Sequence, residues 1–251
     1  MALLGACGLA VAGFGVNGQL RPRTFTPAQQ RRIEAWEVAS RWRTTPKAAL
    51  FPSEVRYRLG GAAFRTASRI TLTARRIGIA GQATCTQAAG ARPPELAALR
   101  RDGCITVLRA TYADATSSFV VTVGIVVMKD PASAAAAVAN LSVRRPARTA
   151  AAGPGGRLSR FLLLRPVHFA GSPAALFDLP QRQLTWLRAA GSYVVVATAG
   201  FADGRPRVKI DGDSYVMQEM TSLAAGLSAA VAAPLGAPAP VPRCPGALTA
   251  C

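Results

Sequence analysis

Two runs in this chain carry no charged residue and do not alternate. Ser118 to Met128 and Tyr193 to Phe201 are dominated by valine and other small or β-branched apolar residues. A strand with one wet face alternates polar and apolar side chains, so an unbroken apolar strand requires cover on both faces. Both runs are therefore expected to be interior strands of one antiparallel sheet, packed by helices.

The flanking sequence supports this. Cys104 to Tyr112 reads as a strand and Ala113 to Thr116 as the turn that leads into the first run. Asp130-Pro131 then opens a helix, Ala132 to Leu141, with a capping Asp and a Pro in its first turn. Gln181 to Arg188 is a second strand, followed by a tight turn at Ala190-Gly191-Ser192 and the second run. After a turn at Asp203 to Pro206, Asp213 or Ser214 caps a helix with Met217, Met220, Leu223, Leu227 and Val231 on one stripe. The order strand, turn, strand, helix occurs at 104–141 and again at 181–232. The expected architecture is α+β, a twisted antiparallel sheet packed by helices, built from two ββα-type halves.

Upstream, Thr26-Pro27-Ala28-Gln29 is a capping box that starts a helix bearing Ile33, Trp36 and Trp42, limited by Pro46. Val55, Tyr57 and Leu59 alternate with charged residues as in a half-buried strand, and Ile70 to Ile79 forms another. Cys85 enters a loop that includes Pro93-Pro94 and a short helical stretch near 95–100. Phe161–Leu164 and Val167–Phe169 read as a strand interrupted by Pro166. The breaker-rich stretch Arg144 to Gly156 reads as a surface loop.

Residues 1–25 are expected to be a signal peptide or membrane anchor plus linker, 26–233 a single domain, and 234–251 a Pro-rich tail. The apolar stretch Ala2 to Val16 is about the length of a signal-peptide core, roughly 7–15 residues. It is short of the roughly 17–25 that a membrane span needs. Leu4-Gly5-Ala6-Cys7 resembles a lipobox. No basic residue precedes the run, which a start upstream of Met1 would explain; Arg21 and Arg23, just after it, favour a cytoplasmic body by the positive-inside rule. The remaining cysteines form two locally spaced couples, Cys85/Cys104 and Cys244/Cys251, read as disulfides of an oxidising compartment. Taken together, these features predict an extracytoplasmic protein, membrane-anchored or secreted, with membrane contact through residues 2–16.

The formal net charge is +18, and all but three of the 30 basic residues are Arg. Such a field suits anionic envelope surfaces. The arginines come as scattered pairs with few aromatics and no recognition motif, which argues against nucleic acid.

Motifs for chemistry are sparse. His168, the only histidine, lies between Val167 and Phe169 and reads as structural. There is no GxSxG elbow, HExxH or P-loop. Asp211, Asp213 and Glu219 read as a turn and a helix cap, short of a calcium loop. No catalytic residue, metal site or cofactor is assigned. Arg205 and Arg207, in Asp203-Gly204-Arg205-Pro206-Arg207, are the candidate anion-binding residues, with a solvated hairpin end as the simpler alternative.

Two resemblances add context. TPAQQRRIEAW, ATAGFADGRPR and PRCPGALTAC resemble an uncharacterised group of exported actinobacterial proteins, which brings no activity with it. The hairpin-and-helix pattern of 105–141 and the later Gly191-Ser192-Tyr193-Val194-Val195-Val196 are similar to PsbP-like proteins and to the extracytoplasmic sensor domains of mycobacterial kinases. That likeness implies an antiparallel sheet packed by helices and no function. The expected role is a non-enzymatic binding, sensor-like or assembly protein of the cell envelope, its partner an envelope protein or an anionic envelope surface. The alternative is a hydrolase of envelope polymers.

Overall fold

The computed structural model describes residues 25–60, 64, 70–89, 97, 99–142, 156–159, 161–212 and 214–239. By internal contacts the chain divides into two units, Met1–Val38 with Pro238–Cys251, and Ala39–Ala237. In the first unit, helix α1 (Pro27–Thr44) begins with the expected capping box. The Gln29 amide nitrogen donates to Thr26 Oγ1 at 3.3 Å, and the Thr26 N–H donates to Gln29 Oε1 at 2.9 Å. The last turns of α1 belong to the second unit, which holds everything described below.

There, α2 (Lys47–Leu50) precedes β1 (Glu54–Arg58) and β2 (Thr71–Ile79), followed by a short helix α3 (Cys85–Ala88). The hairpin β3 (Cys104–Asp114) and β4 (Phe119–Met128) leads into α4 (Pro131–Leu141). A short β5 (Gly156–Leu158) precedes the hairpin β6 (Arg182–Ala190) and β7 (Tyr193–Phe201), which leads to α5 (Tyr215–Gly236). The seven strands form one sheet in the order β1-β2-β3-β4-β7-β6-β5, and every pairing is antiparallel. The two valine-rich runs are adjacent at its centre, and their strands, Phe119–Met128 and Tyr193–Phe201, are buried along their whole length.

Each half contributes a hairpin and a helix, but the halves are not equivalent. β4 and β7 pair about Val123 and Ala197, so their hairpins lie symmetrically on either side. The local twofold axis of an antiparallel pair stands perpendicular to the sheet and leaves each face in place. Helices related by it would share a face, and these do not. α5 packs through Met220, Leu223, Leu227 and Val231 on the face that carries Val121, Val123, Ile125 and Val195. α4 packs through Ala134, Ala137 and Leu141 on the opposite face, with Val126, Met128, Val194 and Val196.

Connection length explains the difference. Only Lys129 and Asp130 separate β4 from α4, with the Asp130 carboxylate accepting the Ser133 N–H at 2.6 Å. The link from Phe201 to α5 runs from Ala202 to Ser214, long enough to carry the chain to the other face. Ser214 is the observed cap, its hydroxyl accepting the Met217 N–H at 3.3 Å.

Two local expectations are corrected. Cys85–Ala88 is a helical turn with its own capping box at Thr84, where a loop was expected. Residues 161–169 do not form a strand; Leu164 makes one isolated bridge, to Ala89. Pro166 lacks the N–H that a ladder needs, and the segment instead lies across the α4 face of the sheet. Side chains from the sheet satisfy its backbone. Arg109 donates to the Arg165 carbonyl at 3.3 Å, Arg182 donates to the Leu162 carbonyl, and Thr111 donates to the Val167 carbonyl at 2.7 Å. Leu164 presses on Gly124, where a side chain would collide with it.

Beneath this segment four buried threonines form a row across four strands. Thr111 stands opposite Thr122, Thr122 opposite Thr198, and Thr198 opposite Thr185. At the far end of the helical layer, Arg41 is 8% exposed and donates to the carbonyls of Pro234 and Leu235 at 2.8 and 3.1 Å and to that of Ala237. It thereby caps the C-terminus of α5, where free carbonyls and the helix dipole favour a cation. α5 itself continues through Pro234 to Gly236.

Candidate functional site

The long link between β7 and α5, where the second half departs from the first, builds the one groove described here. Three contacts hold it. Gln181 Nε2 donates to the Gly204 carbonyl at 3.1 Å, and the Arg207 N–H donates to the Pro180 carbonyl at 2.8 Å. Gln183 makes the third contact with both ends of its amide: Oε1 accepts the Val208 N–H at 3.2 Å and Nε2 donates to the Val208 carbonyl. Gln183 sits where the β6–β7 register shifts between Arg182 and Leu184. The extra residue of such a bulge re-aims a side chain, and here it meets the link instead of the next strand.

A cavity of about 310 Å³ opens between the link and α5, lined by Gln183, Arg207, Val208, Lys209, Ile210 and Met217. Among the described residues its lining contains two cations and no acid. Neither Arg207 nor Lys209 has an ion-pair partner among the described residues. Gln183 is 6% exposed, and its second amide N–H has no partner among the described residues. A buried amide donor with two unpaired cations beside it is a set that an anion satisfies.

The two arginines singled out from the sequence therefore part company. Arg205 is bound to Asp203, whose Oδ2 accepts from its Nε at 2.6 Å, and it lies 4.6 Å from the centre of the Phe201 ring. The hydrogen bond to Asp203 holds the guanidinium above its ordinary pKa, and the same bond holds the Asp203 carboxyl below its own. Arg205 thus fastens the turn at Gly204, which has a φ of +77°. Arg207 alone of the pair reaches the cavity. Lys209, Gln183 and Met217 join it there without having been singled out. Lys209 lies two residues after Arg207 in the same link, and neither it nor Gln183 carried a sign of the cavity in the sequence.

A second cluster lies on the α5 face. Asp114, Tyr57 and Glu219 interact electrostatically. Asp114 is committed to the β3–β4 turn: Oδ1 accepts the Phe119 N–H at 2.7 Å, and Oδ2 accepts the Thr116 N–H at 2.9 Å and its hydroxyl. The Tyr57 hydroxyl is buried without a partner among the described residues. Burial, then the Asp114 and Glu219 charges, pushes the phenol pKa upward. Glu219 is also pushed upward, first by burial and then by Asp114.

His168 is exposed on the crossing segment and makes no side-chain hydrogen bond among the described residues. Cys85 and Cys104 form a disulfide with Cα atoms 6.3 Å apart, joining α3 to the start of β3. A loop of that length is worth about 3 kcal/mol in the chain-entropy model. Cys244, Cys251 and the segment 2–16 lie outside the described residues. Among those that are described, no helix is long and apolar enough to cross a membrane, and no cluster of three metal-ligating side chains occurs.

Comparison with known proteins finds no matching family model, no matching curated protein and no matching solved structure.

Proposed function

We propose that this chain is a non-catalytic binding domain of the cell envelope, held outside the cytoplasm, which receives an anionic group between Arg207 and Lys209. The observation that carries the reading is the cavity that holds both unpaired cations and the buried Gln183 amide, with no acid among its described lining residues. Its wall is fastened at Gly204, Arg207 and Val208, so the backbone that carries the cations is held before a ligand arrives. The Cys85–Cys104 disulfide supports an oxidising compartment. The high net charge favours approach of an anion and steers its encounter.

Calorimetric titration of the full chain with inorganic phosphate and pyrophosphate tests the reading. Saturable binding that weakens at least tenfold in the double variant Arg207→Ala/Lys209→Ala, and is unchanged in Arg75→Ala/Arg101→Ala, is expected. Equal weakening in both variants would reduce the binding to a general effect of net charge and defeat the proposal.

A further inference from the structure

Of the six described residues that line the groove, two are cationic and three are apolar. Arg207, Val208, Lys209 and Ile210 follow one another along the link and all line the cavity, and Met217 joins them from the first turns of α5. A site for a small hydrophilic anion has no use for three apolar side chains. Exposed apolar side chains also occur on the same link and the first turn of α5: Val208, Tyr215 and Val216 are 39%, 65% and 37% exposed. Tyr215 is held in place by the edge of the Phe64 ring, with centroids 5.4 Å apart. At about 310 Å³ the cavity is at the small end of the roughly 300–1,000 Å³ usual for ligand pockets. It accommodates a head group and the first part of a chain.

We infer that the ligand is an amphiphile whose phosphate or carboxylate head is held by Arg207, Lys209 and the Gln183 amide, and whose alkyl chain lies along Val208, Ile210 and Met217. This rests on the anion-binding reading above and specifies its ligand. Arg207 and Lys209 supply charge complementarity to the head, and no acid is among the described residues that line the cavity. The same chemistry belongs to a membrane lipid and to a free alkyl phosphate.

The test is a series of probes titrated into the full chain by calorimetry below their micelle concentrations: inorganic phosphate, butyl phosphate, octyl phosphate and octyltrimethylammonium. Each methylene buried raises affinity about fourfold, so octyl phosphate is expected to bind at least tenfold more tightly than inorganic phosphate. Met217→Gln should abolish most of that advantage. Equal affinity for phosphate and octyl phosphate would overturn the amphiphile and leave the anion site standing. Binding of neither would defeat both, and octyltrimethylammonium binding as tightly as octyl phosphate would remove the role of the cations. Flotation with vesicles of phosphatidylglycerol, with and without competing octyl phosphate, separates the sources. Displacement from vesicles by octyl phosphate places the lipid head in the groove. Vesicle binding that persists at saturating octyl phosphate assigns the site to the soluble amphiphile.

Discussion

Thr122 Oγ1 accepts the Val167 N–H at 3.1 Å while its neighbour Thr111 donates to the Val167 carbonyl at 2.7 Å. The two hydroxyls are 2.9 Å apart. Each hydroxyl has one proton, and Thr111 has given its own to the carbonyl, so Thr122 must donate to Thr111. The result is a closed ring of three hydrogen bonds that docks the crossing segment on the sheet. A valine at either site keeps the shape and breaks the ring.

Thr122→Val is expected to cost about 1–3 kcal/mol, the usual penalty for stranding a buried partner, and Thr111→Val should cost a similar amount. The double variant should cost clearly less than the sum, because the ring is already open after the first change. Urea unfolding measures all three. Strict additivity would contradict the ring.

The mirrored pair provides a control. Thr185 and Thr198 are 2.9 Å apart and buried. No hydrogen bond among the described residues links their hydroxyls to the crossing segment. Replacing both by valine removes donor and acceptor together and is expected to be near neutral. A loss as large as that of Thr122→Val would show that the row matters for some reason other than docking.

Arg41 holds the end of α5 by donating to successive carbonyls. Hydrogen bonds made by a charged group are worth about 1.5–3 kcal/mol, so Arg41→Met should lower stability by about 2 kcal/mol. Hydrogen exchange should speed up in the last turn of α5 and stay slow at Leu223 to Leu227. Unchanged exchange at that end would refute the cap.

Glu219 sets the sign of a pH effect. Its folded pKa is raised above the ordinary 4.5 by burial and by Asp114. Below 4.5 the group is protonated whether folded or unfolded and has no effect. As pH climbs through the raised value, the folded state has to give up a proton in an unfavourable place, and stability falls. Glu219→Gln is therefore expected to raise the melting temperature at pH 7 and to match the parent below about pH 4. Thermal melts across pH check this; a variant less stable at pH 7 would reverse the assignment.

What could be read in the sequence follows from what is local. The alternation of Val55, Tyr57 and Leu59 marked an inward face, and those three residues are buried. The unalternating runs marked central strands, and they are the central strands. The caps at Thr26 and Asp130 were visible in four residues each. Pairing across the sheet was not visible. The four threonines lie far apart in the chain, and only the register of β3, β4, β7 and β6 places them in one row. The repeat was legible as an order of elements, but the face to which each helix turns depends on the length and path of the link after β7. The groove shows the same division. The Arg205 and Arg207 pair was noticeable, whereas the capture of Arg205 by Asp203 and the arrival of Gln183 through a bulge are tertiary facts.

The central claim is that the cavity between the β7–α5 link and α5 is a specific anion site. Nitrogen-15 and methyl NMR of the full chain during titration with octyl phosphate tests it most directly. The account predicts saturating shifts at the Gln183 side-chain amide, the Val208 and Lys209 amides and the Met217 methyl, with none at Arg75 or Arg101. Shifts spread over the exposed arginines, or centred on Arg109 and Arg165 on the opposite face, would contradict it.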